Sequence, residues 1–289
     1  MMGEARTGAP ELAARGARRV EEAVRARLAV GQRALIPFLT AGDPGPEESV
    51  ERMLGAIDAG GDVLEVGLPF SDPVADGPTL QAASERALRA GGGTEATFAI
   101  VARVRALRPK VPVVVLTYVN PVLRPGVGRF AERAAACGVD ALIVPDLSLE
   151  ESAPVRATLH GAGVGLITFA APTSGTGRLG QMARVAEGFV YCVARLGVTG
   201  ANAQVAKSAA EVVDRVRAVT DVPCAVGFGV GTPQAAAGAS RIADGVIVGS
   251  ALAAPRPGDG PLSAQAVADL VGAMRRAMDE TEQAGEEGS

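Results

Sequence analysis

The sequence predicts an α/β protein, a single (β/α)8 TIM barrel preceded by an extra N-terminal helix. Three observations support this prediction: short apolar runs alternate with helical patterns, the runs are apolar on both faces, and eight such units fit within 289 residues. Strands of that kind belong to parallel sheets covered on both sides. Eight βα units in about 250 residues are typical of a closed barrel.

The eight apolar runs are the predicted strands, because each is short, rich in apolar or β-branched residues and followed by a turn. The alternative is a doubly wound open sheet, which usually has fewer strands and a glycine-rich fingerprint after the first one. In chain order the runs are ALIPFL (34–39), DVLEVGL (62–68), VPVVVLTY (111–118), DALIVPD (140–146), VGLITFA (164–170), FVYCVA (189–194), VPCAVGFG (222–229) and DGVIVGS (244–250).

The helical patterns place apolar residues three and four positions apart. Residues 12–28 predict a helix ahead of the first strand, which would cover the bottom of the barrel. Helices between the strands include 47–60, 96–108 and 208–219, and a last helix covers about 262–278.

The predicted barrel domain occupies residues 10–278. The segments on either side of it, 1–9 and 279–289, are poor in large apolar residues, and we expect them to be disordered.

Composition excludes several classes of function. The net charge is −4 and aromatic residues make up 3%, so neither a basic stripe nor a stacking surface for nucleic acid is expected. No apolar stretch is long enough to span a membrane. The three cysteines lie far apart without a CxxC pair, which argues against a secreted disulfide scaffold. We therefore expect a soluble, cytoplasmic protein.

Glu65 and Asp76 are the candidate catalytic carboxylates. Strand alternation places Leu64 and Val66 on the outer face and turns Glu65 towards the barrel mouth. An apolar mouth would raise the pKa of Glu65 and suit it to acid–base catalysis; the alternative is a glutamate paired with an arginine or a backbone donor. Asp76 follows in the loop VADGP, where the alternative is a turn formed with Gly77.

Glycine clusters follow the sixth, seventh and eighth predicted strands, as GVTG (197–200), GFGVG (227–231) and VGS (248–250). Such loops let backbone amides approach a ligand, and barrels often bind phosphate there. The single histidine, His160, is expected to cap a helix, so neither a zinc site nor a Ser–His–Asp triad is predicted. The residues therefore indicate carboxylate chemistry on a phosphate ester, without a metal.

Seven motifs, in order along the barrel, resemble the tryptophan synthase α chain family, and the second is highly specific. They are PFLTAGDP (37–44), LEVGLPFSDPVADGPTLQ (64–81), LTYVNPV (116–122), VPDLSLEES (144–152), GFVYCVARLGVTG (188–200), VGFGV (226–230) and GVIVGS (245–250).

The resemblance implies a lyase of tryptophan biosynthesis that cleaves indole-3-glycerol phosphate to indole and glyceraldehyde 3-phosphate. Glu65 would be the general acid and base, and Asp76 would hold the indole N–H. The other implied contacts are Tyr191, which orients the glutamate; Phe38, Tyr118 and Phe228 around the indole; Thr199 in a closing loop; and Gly200, Gly229, Gly249 and Ser250 at the phosphate.

The resemblance also implies a partner, a β chain that receives indole and carries pyridoxal phosphate, in an α2β2 complex. This chain would need no cofactor. The loops at 69–76 and 120–121 match segments that face the partner, while Ser148, Ala194 and Gly231 depart from the family pattern. Two alternatives stay open: a stand-alone lyase that releases free indole, and a catalytically silent subunit that activates a β chain.

Overall fold

The computed structural model describes residues 13–193, 202–227, 229–254 and 260–286. The described residues form nine β-strands and twelve helices. The strands are β1 (Ala34–Thr40), β2 (Leu64–Gly67), β3 (Val113–Leu116), β4 (Ala141–Ile143), β5 (Gly165–Leu166), β6 (Thr168–Ala170), β7 (Val190–Cys192), β8 (Cys224–Val226) and β9 (Gly245–Val248).

All paired strands are parallel, in the order β5-β4-β3-β2-β1-β9-β8-β7-β6. The two ends of this order, β5 and β6, are consecutive parts of one stretch interrupted only at Ile167. The amide of Ile167 donates to Leu142 O at 2.9 Å, so the stretch stays attached to β4 across the interruption. The sheet thereby comes close to a closed barrel, and the predicted (β/α)8 fold is confirmed with its fifth strand split in two.

The helices surround this barrel. They are α1 (Arg15–Leu28), α2 (Pro46–Asp58), α3 (Pro78–Arg89), α4 (Thr94–Leu107), α5 (Val119–Leu123), α6 (Val127–Cys137), α7 (Ser152–Gly161), α8 (Thr176–Val185), α9 (Asn202–Arg217), α10 (Pro233–Ser240), α11 (Ser250–Ala253) and α12 (Ala264–Glu286).

The first and last helices lie at the two ends of the described chain. Helix α1 is the predicted N-terminal helix, and its Val20 and Val24 pack into the barrel interior. Helix α12 continues to Glu286, beyond the predicted end at 278. An Arg275–Asp279 pair one turn apart, 2.6 Å between Nη2 and Oδ1, supports this extension. The domain limits stay a prediction.

Strand alternation separates two apolar cores. Side chains such as Ile36, Val63 and Val114 fill the barrel interior, while Leu64 and Val66 pack outwards against the helices. Glu65 and Gly67 consequently share the inward face with Val63. No helix among the described residues is long and apolar enough to cross a membrane.

Candidate active site

A cavity of about 540 Å³ opens at the carboxyl ends of the strands. This is the end of the barrel at which loops, rather than the packed interior, determine chemistry. Seven of the residues predicted for the site line the cavity together: Phe38, Glu65, Asp76, Tyr191, Gly229, Gly249 and Ser250.

Glu65 lies at the bottom of this cavity, on β2. Its side chain is fully buried, and neither carboxylate oxygen has a hydrogen-bond partner among the described residues. Burial, and secondarily the nearby Asp76, raises the pKa of Glu65 to about 8. A buried carboxyl group without a partner is therefore protonated at neutral pH and can act as an acid.

Asp76 reaches the same cavity from the loop between β2 and α3. Its amide donates to Pro73 O at 3.0 Å, and Gln81 Nε2 donates to its carbonyl at 2.9 Å, which fixes the backbone. Burial raises the pKa of Asp76 to about 6, against the effect of a hydrogen bond from the Tyr118 hydroxyl. Asp76 is thus an anion at neutral pH while Glu65 is not.

Tyr191 lines the cavity close to both carboxyl groups. Burial, with Glu65 and Asp76 nearby, raises the pKa of its hydroxyl well above the usual value. The ring packs against Phe169 with centroids 5.2 Å apart. A Cβ placed on Gly227 would lie 2.4 Å from the Tyr191 hydroxyl oxygen, so the glycine makes room for that hydroxyl.

Phe38 forms another wall and depends on two glycines. A Cβ added to Gly67 would lie 2.5 Å from Phe38 Cζ, and one added to Gly249 would lie 3.3 Å from Cδ1. The glycines on β2 and after β9 therefore set the position of the Phe38 ring, which is 4% exposed. This packing role of Gly67 has no distinctive signal in the sequence.

Gly229, Gly249 and Ser250, which are predicted to bind phosphate, line the cavity. Gly229 has φ +69, a left-handed conformation that favours glycine. Gly249 precedes Ser250, the first residue of α11, and the first amides of a helix have no acceptor within it. Gly249 and Ser250 line the cavity, so an anion bound there could reach these amides.

Two arginines hold the other end of α11. Arg52 Nη2 donates to Leu252 O at 2.7 Å, and Arg86 Nη2 donates to Ala253 O at 3.3 Å. Both arginines also contact Asp43, which accepts two hydrogen bonds from Arg86 at 2.7 and 2.8 Å. Sequence reasoning missed this support, because its members come from distant parts of the chain.

Tyr118 is placed differently from the other predicted contacts. It is 1% exposed, and Leu116 lines the cavity whereas Tyr118 does not. Its hydroxyl instead contacts the loop that carries Asp76. The predicted contacts Thr199, Gly200 and Phe228 lie outside the described residues.

Ser148, one of the departures from the family pattern, has a local structural role. Its hydroxyl donates to Glu151 Oε2 at 2.8 Å, and the Glu151 amide donates back to it at 3.3 Å. This reciprocal pair closes the turn that precedes α7. The spacing S-x-x-E in SLEE could have predicted it from the sequence.

Comparisons with known proteins show which family the sequence resembles. The profile of a family described as "Tryptophan synthase alpha chain" matches residues 25–273. A tryptophan synthase alpha chain of Halorhodospira halophila is 44% identical over 270 residues, 93% of this chain and 99% of the relative. One of Alkalilimnicola ehrlichii is 46% identical over 264 residues, 90% and 96% of the two chains.

Solved structures give the same result. Tryptophan synthase subunit alpha from Legionella pneumophila superposes with a TM-score of 0.82 at 32% identity, covering 91% of this chain and 98% of that one. A chain of Mycobacterium tuberculosis tryptophan synthase gives a TM-score of 0.81 at 38% identity, with coverages of 90% and 98%.

Proposed function

Since the chain belongs to the tryptophan synthase alpha chain family, we propose that Glu65 and Asp76 perform the family's reaction in the mouth of its barrel. That reaction is the lyase step of tryptophan biosynthesis, which cleaves indole-3-glycerol phosphate to indole and glyceraldehyde 3-phosphate. One observation carries the proposal: two carboxyl groups share a cavity, with pKa values raised to about 8 and about 6. At neutral pH one is an acid and the other an anion.

Glu65 supplies and recovers the proton. The protonated carboxyl group donates to C3 of the indole, and the ring nitrogen takes up the developing positive charge. The resulting carboxylate then removes the proton of the hydroxyl on the adjacent glycerol carbon. The bond between that carbon and C3 breaks, its electrons return to the ring, and an aldehyde and indole are released with Glu65 protonated again.

Asp76 stabilises the charge that this step creates. An ionised carboxylate beside the indole N–H becomes more favourable as the ring nitrogen becomes positive. An interaction that strengthens towards the transition state accelerates the reaction, whereas one of constant strength only tightens binding. The half-buried position of Asp76 limits the water that would weaken this interaction.

The remaining predicted contacts divide between the two halves of the substrate. Gly249, Ser250 and Gly229 are proposed to bind the phosphate through backbone amides, together with Gly200, which follows β7 in the sequence. Phe38 and Phe228 are proposed to contact the indole, Tyr191 to orient Glu65, and Thr199 to close the site.

The chain works with a tryptophan synthase β chain, and we expect it to need no cofactor of its own because pyridoxal phosphate belongs to that partner. We propose a cytoplasmic location and an α2β2 assembly. The cysteines Cys137, Cys192 and Cys224 are free thiols, which suits a reducing compartment.

The Glu65→Gln variant tests the role of the acid. Its amide cannot donate the proton, so kcat should fall by about 10³-fold while the dissociation constant of the substrate changes by less than about threefold. Indole release and equilibrium binding are the two measurements. Glu85→Gln, an exposed change on α3, is the matched control. Turnover of Glu65→Gln within about tenfold of wild type would contradict the assignment.

A further inference from the structure

The hydroxyl of Tyr118 lies beneath the loop that carries Asp76. It accepts a hydrogen bond from the Ala75 amide at 3.2 Å, and it lies close enough to the Asp76 carboxyl group to lower the pKa of that group. A phenol has one proton to donate, and the neighbouring carboxylate is an acceptor for it. The single hydroxyl therefore contacts both the backbone and the reacting group of the loop.

The ring of Tyr118 also contacts the loop that carries Asp76. It stacks on Phe70, from the same loop, with centroids 5.4 Å apart and an interplanar angle of 26°. The next residue, Val119, donates its amide to Asp146 Oδ1 at 2.9 Å. Ring and hydroxyl together connect the carboxyl end of β3 to the start and the end of the Asp76 loop.

We propose that Tyr118 is a positioning residue of the lyase reaction, which holds the Asp76 carboxylate at the cavity wall rather than binding the indole itself. The proposal rests on the role proposed above for Asp76. It differs from the sequence-based expectation that Tyr118 contacts the indole, because its side chain is buried and does not line the cavity.

The hydroxyl also affects the charge of Asp76. Asp76 is surrounded by Tyr118, by Glu65 and Tyr191 across the cavity, and, behind Tyr118, by Asp146. Of these groups, the Tyr118 hydroxyl lowers the pKa of Asp76, whereas burial raises it. Removing the hydroxyl should therefore raise the pKa of Asp76 and leave less of the anion at a given pH.

The Tyr118→Phe variant removes the hydroxyl and keeps the ring. The test is the pH dependence of kcat/KM for indole release, measured on the complex with the β chain. We expect the acidic limb to move up by about 1 pH unit, which by itself lowers kcat/KM at pH 7 about twofold, and any fall beyond that reports the lost positioning of Asp76. Binding of glycerol 3-phosphate, which lacks the indole, should stay unchanged.

Two control variants separate the possible outcomes. Phe70→Leu removes the ring contact but keeps the hydroxyl, and its acidic limb should not move. Asp76→Asn should lose activity; if it does not, the proposed role of Asp76 fails. If Asp76→Asn is inactive but Tyr118→Phe raises KM with an unmoved acidic limb, the positioning role is wrong and Tyr118 binds indole.

A second measurement leaves the chain intact in case Tyr118→Phe does not fold. The sequence has two tyrosines, so replacing both with 3-fluorotyrosine gives a ¹⁹F spectrum with two signals, assigned with Tyr191→Phe. The Tyr118 signal should titrate with the midpoint of the acidic limb, because its hydroxyl contacts Asp76. A Tyr118 signal that does not titrate there would overturn the proposal.

Discussion

Glu65 and Asp76 differ in environment although both carry the same functional group. Glu65 is buried with no hydrogen-bond partner in the described part of the chain, while the Tyr118 hydroxyl beside Asp76 lowers the pKa of that carboxyl group. Because of this difference, the pKa of Glu65, about 8, is higher than that of Asp76, about 6. The sequence could predict that the two carboxylates share the mouth, because alternation and loop position determine it. It could not predict the hydroxyl beneath Asp76, which depends on how the loop packs on β3.

The ordering of these two groups predicts a bell-shaped pH profile of kcat/KM. Asp76 must be ionised, so activity should fall as the pH drops through about 6. Glu65 must be protonated, so activity should also fall as the pH rises through about 8. Initial rates of indole release, measured from below about pH 6 to above about pH 8, test this prediction. A rate that keeps rising well above pH 8 would show that Glu65 is not needed in its acid form.

Gly67→Ala should disturb the Phe38 wall. The added methyl group would lie 2.5 Å from Phe38 Cζ, on a strand that cannot move away easily. We expect a loss of about 1–3 kcal/mol in the free energy of unfolding and a higher KM. Gly180→Ala in α8 is the control, because nothing lies within 4 Å of its new methyl group. That change should stabilise the chain slightly. A neutral Gly67→Ala would contradict the packing described for Phe38.

At the scale of elements, acids placed just before strands hold neighbouring strands in register. Asp62, Asp140, Glu187 and Asp244 each accept a backbone N–H from the start of another strand, at 2.8 or 2.9 Å. Three of these acids begin predicted apolar runs, in DVLEV, DALIV and DGVIV. Their positions are visible in the sequence, but their partners appear only when the barrel closes.

Glu187 makes the most contacts of this group. It accepts hydrogen bonds from Ala14 N, Leu166 N and Arg156 Nη1, and His160 Nε2 lies 2.8 Å away. His160, expected to cap a helix, thus lies in the last turn of α7 and pairs with a buried acid. The interruption of the fifth strand at Ile167 was equally unpredictable, because the run VGLITFA is continuous in the sequence.

Glu187→Ala should destabilise the barrel by about 3–5 kcal/mol, because Arg156 would be left buried without its carboxylate. Urea denaturation of the purified chain measures the change. Glu150→Ala is the control: it removes an exposed ion pair with Arg178 and should cost less than about 1 kcal/mol. Similar losses for the two variants would show that the Glu187 cluster contributes no more than a surface pair.

At the scale of the whole molecule, we expect loops at the mouth of the barrel to contact the β chain. Val74 is 78% exposed on the loop between β2 and α3, one of the loops predicted to face the partner. A large apolar side chain on such a loop suits a contact that becomes buried on assembly. The same loop carries Asp76, so the partner can affect the site by fixing this loop.

Val74→Asp should therefore weaken the complex. We expect the β chain concentration that gives half-maximal activation to rise about tenfold or more, since a charge would be buried at the contact. Titrating the chain with β chain while following indole release measures this. Leu107→Asp, at the end of α4 away from the mouth, is the control and should change nothing. If Val74→Asp reaches half-maximal activation at the same β chain concentration as wild type, the contact lies elsewhere.

The most direct test of the central claim is indole release from indole-3-glycerol phosphate by the purified chain, alone and after addition of a β chain from the same source. The account predicts slow release by the chain alone and a large increase with the β chain, because the carboxylates are present and the partner completes the loops around them. No release under either condition would contradict the roles assigned to Glu65 and Asp76.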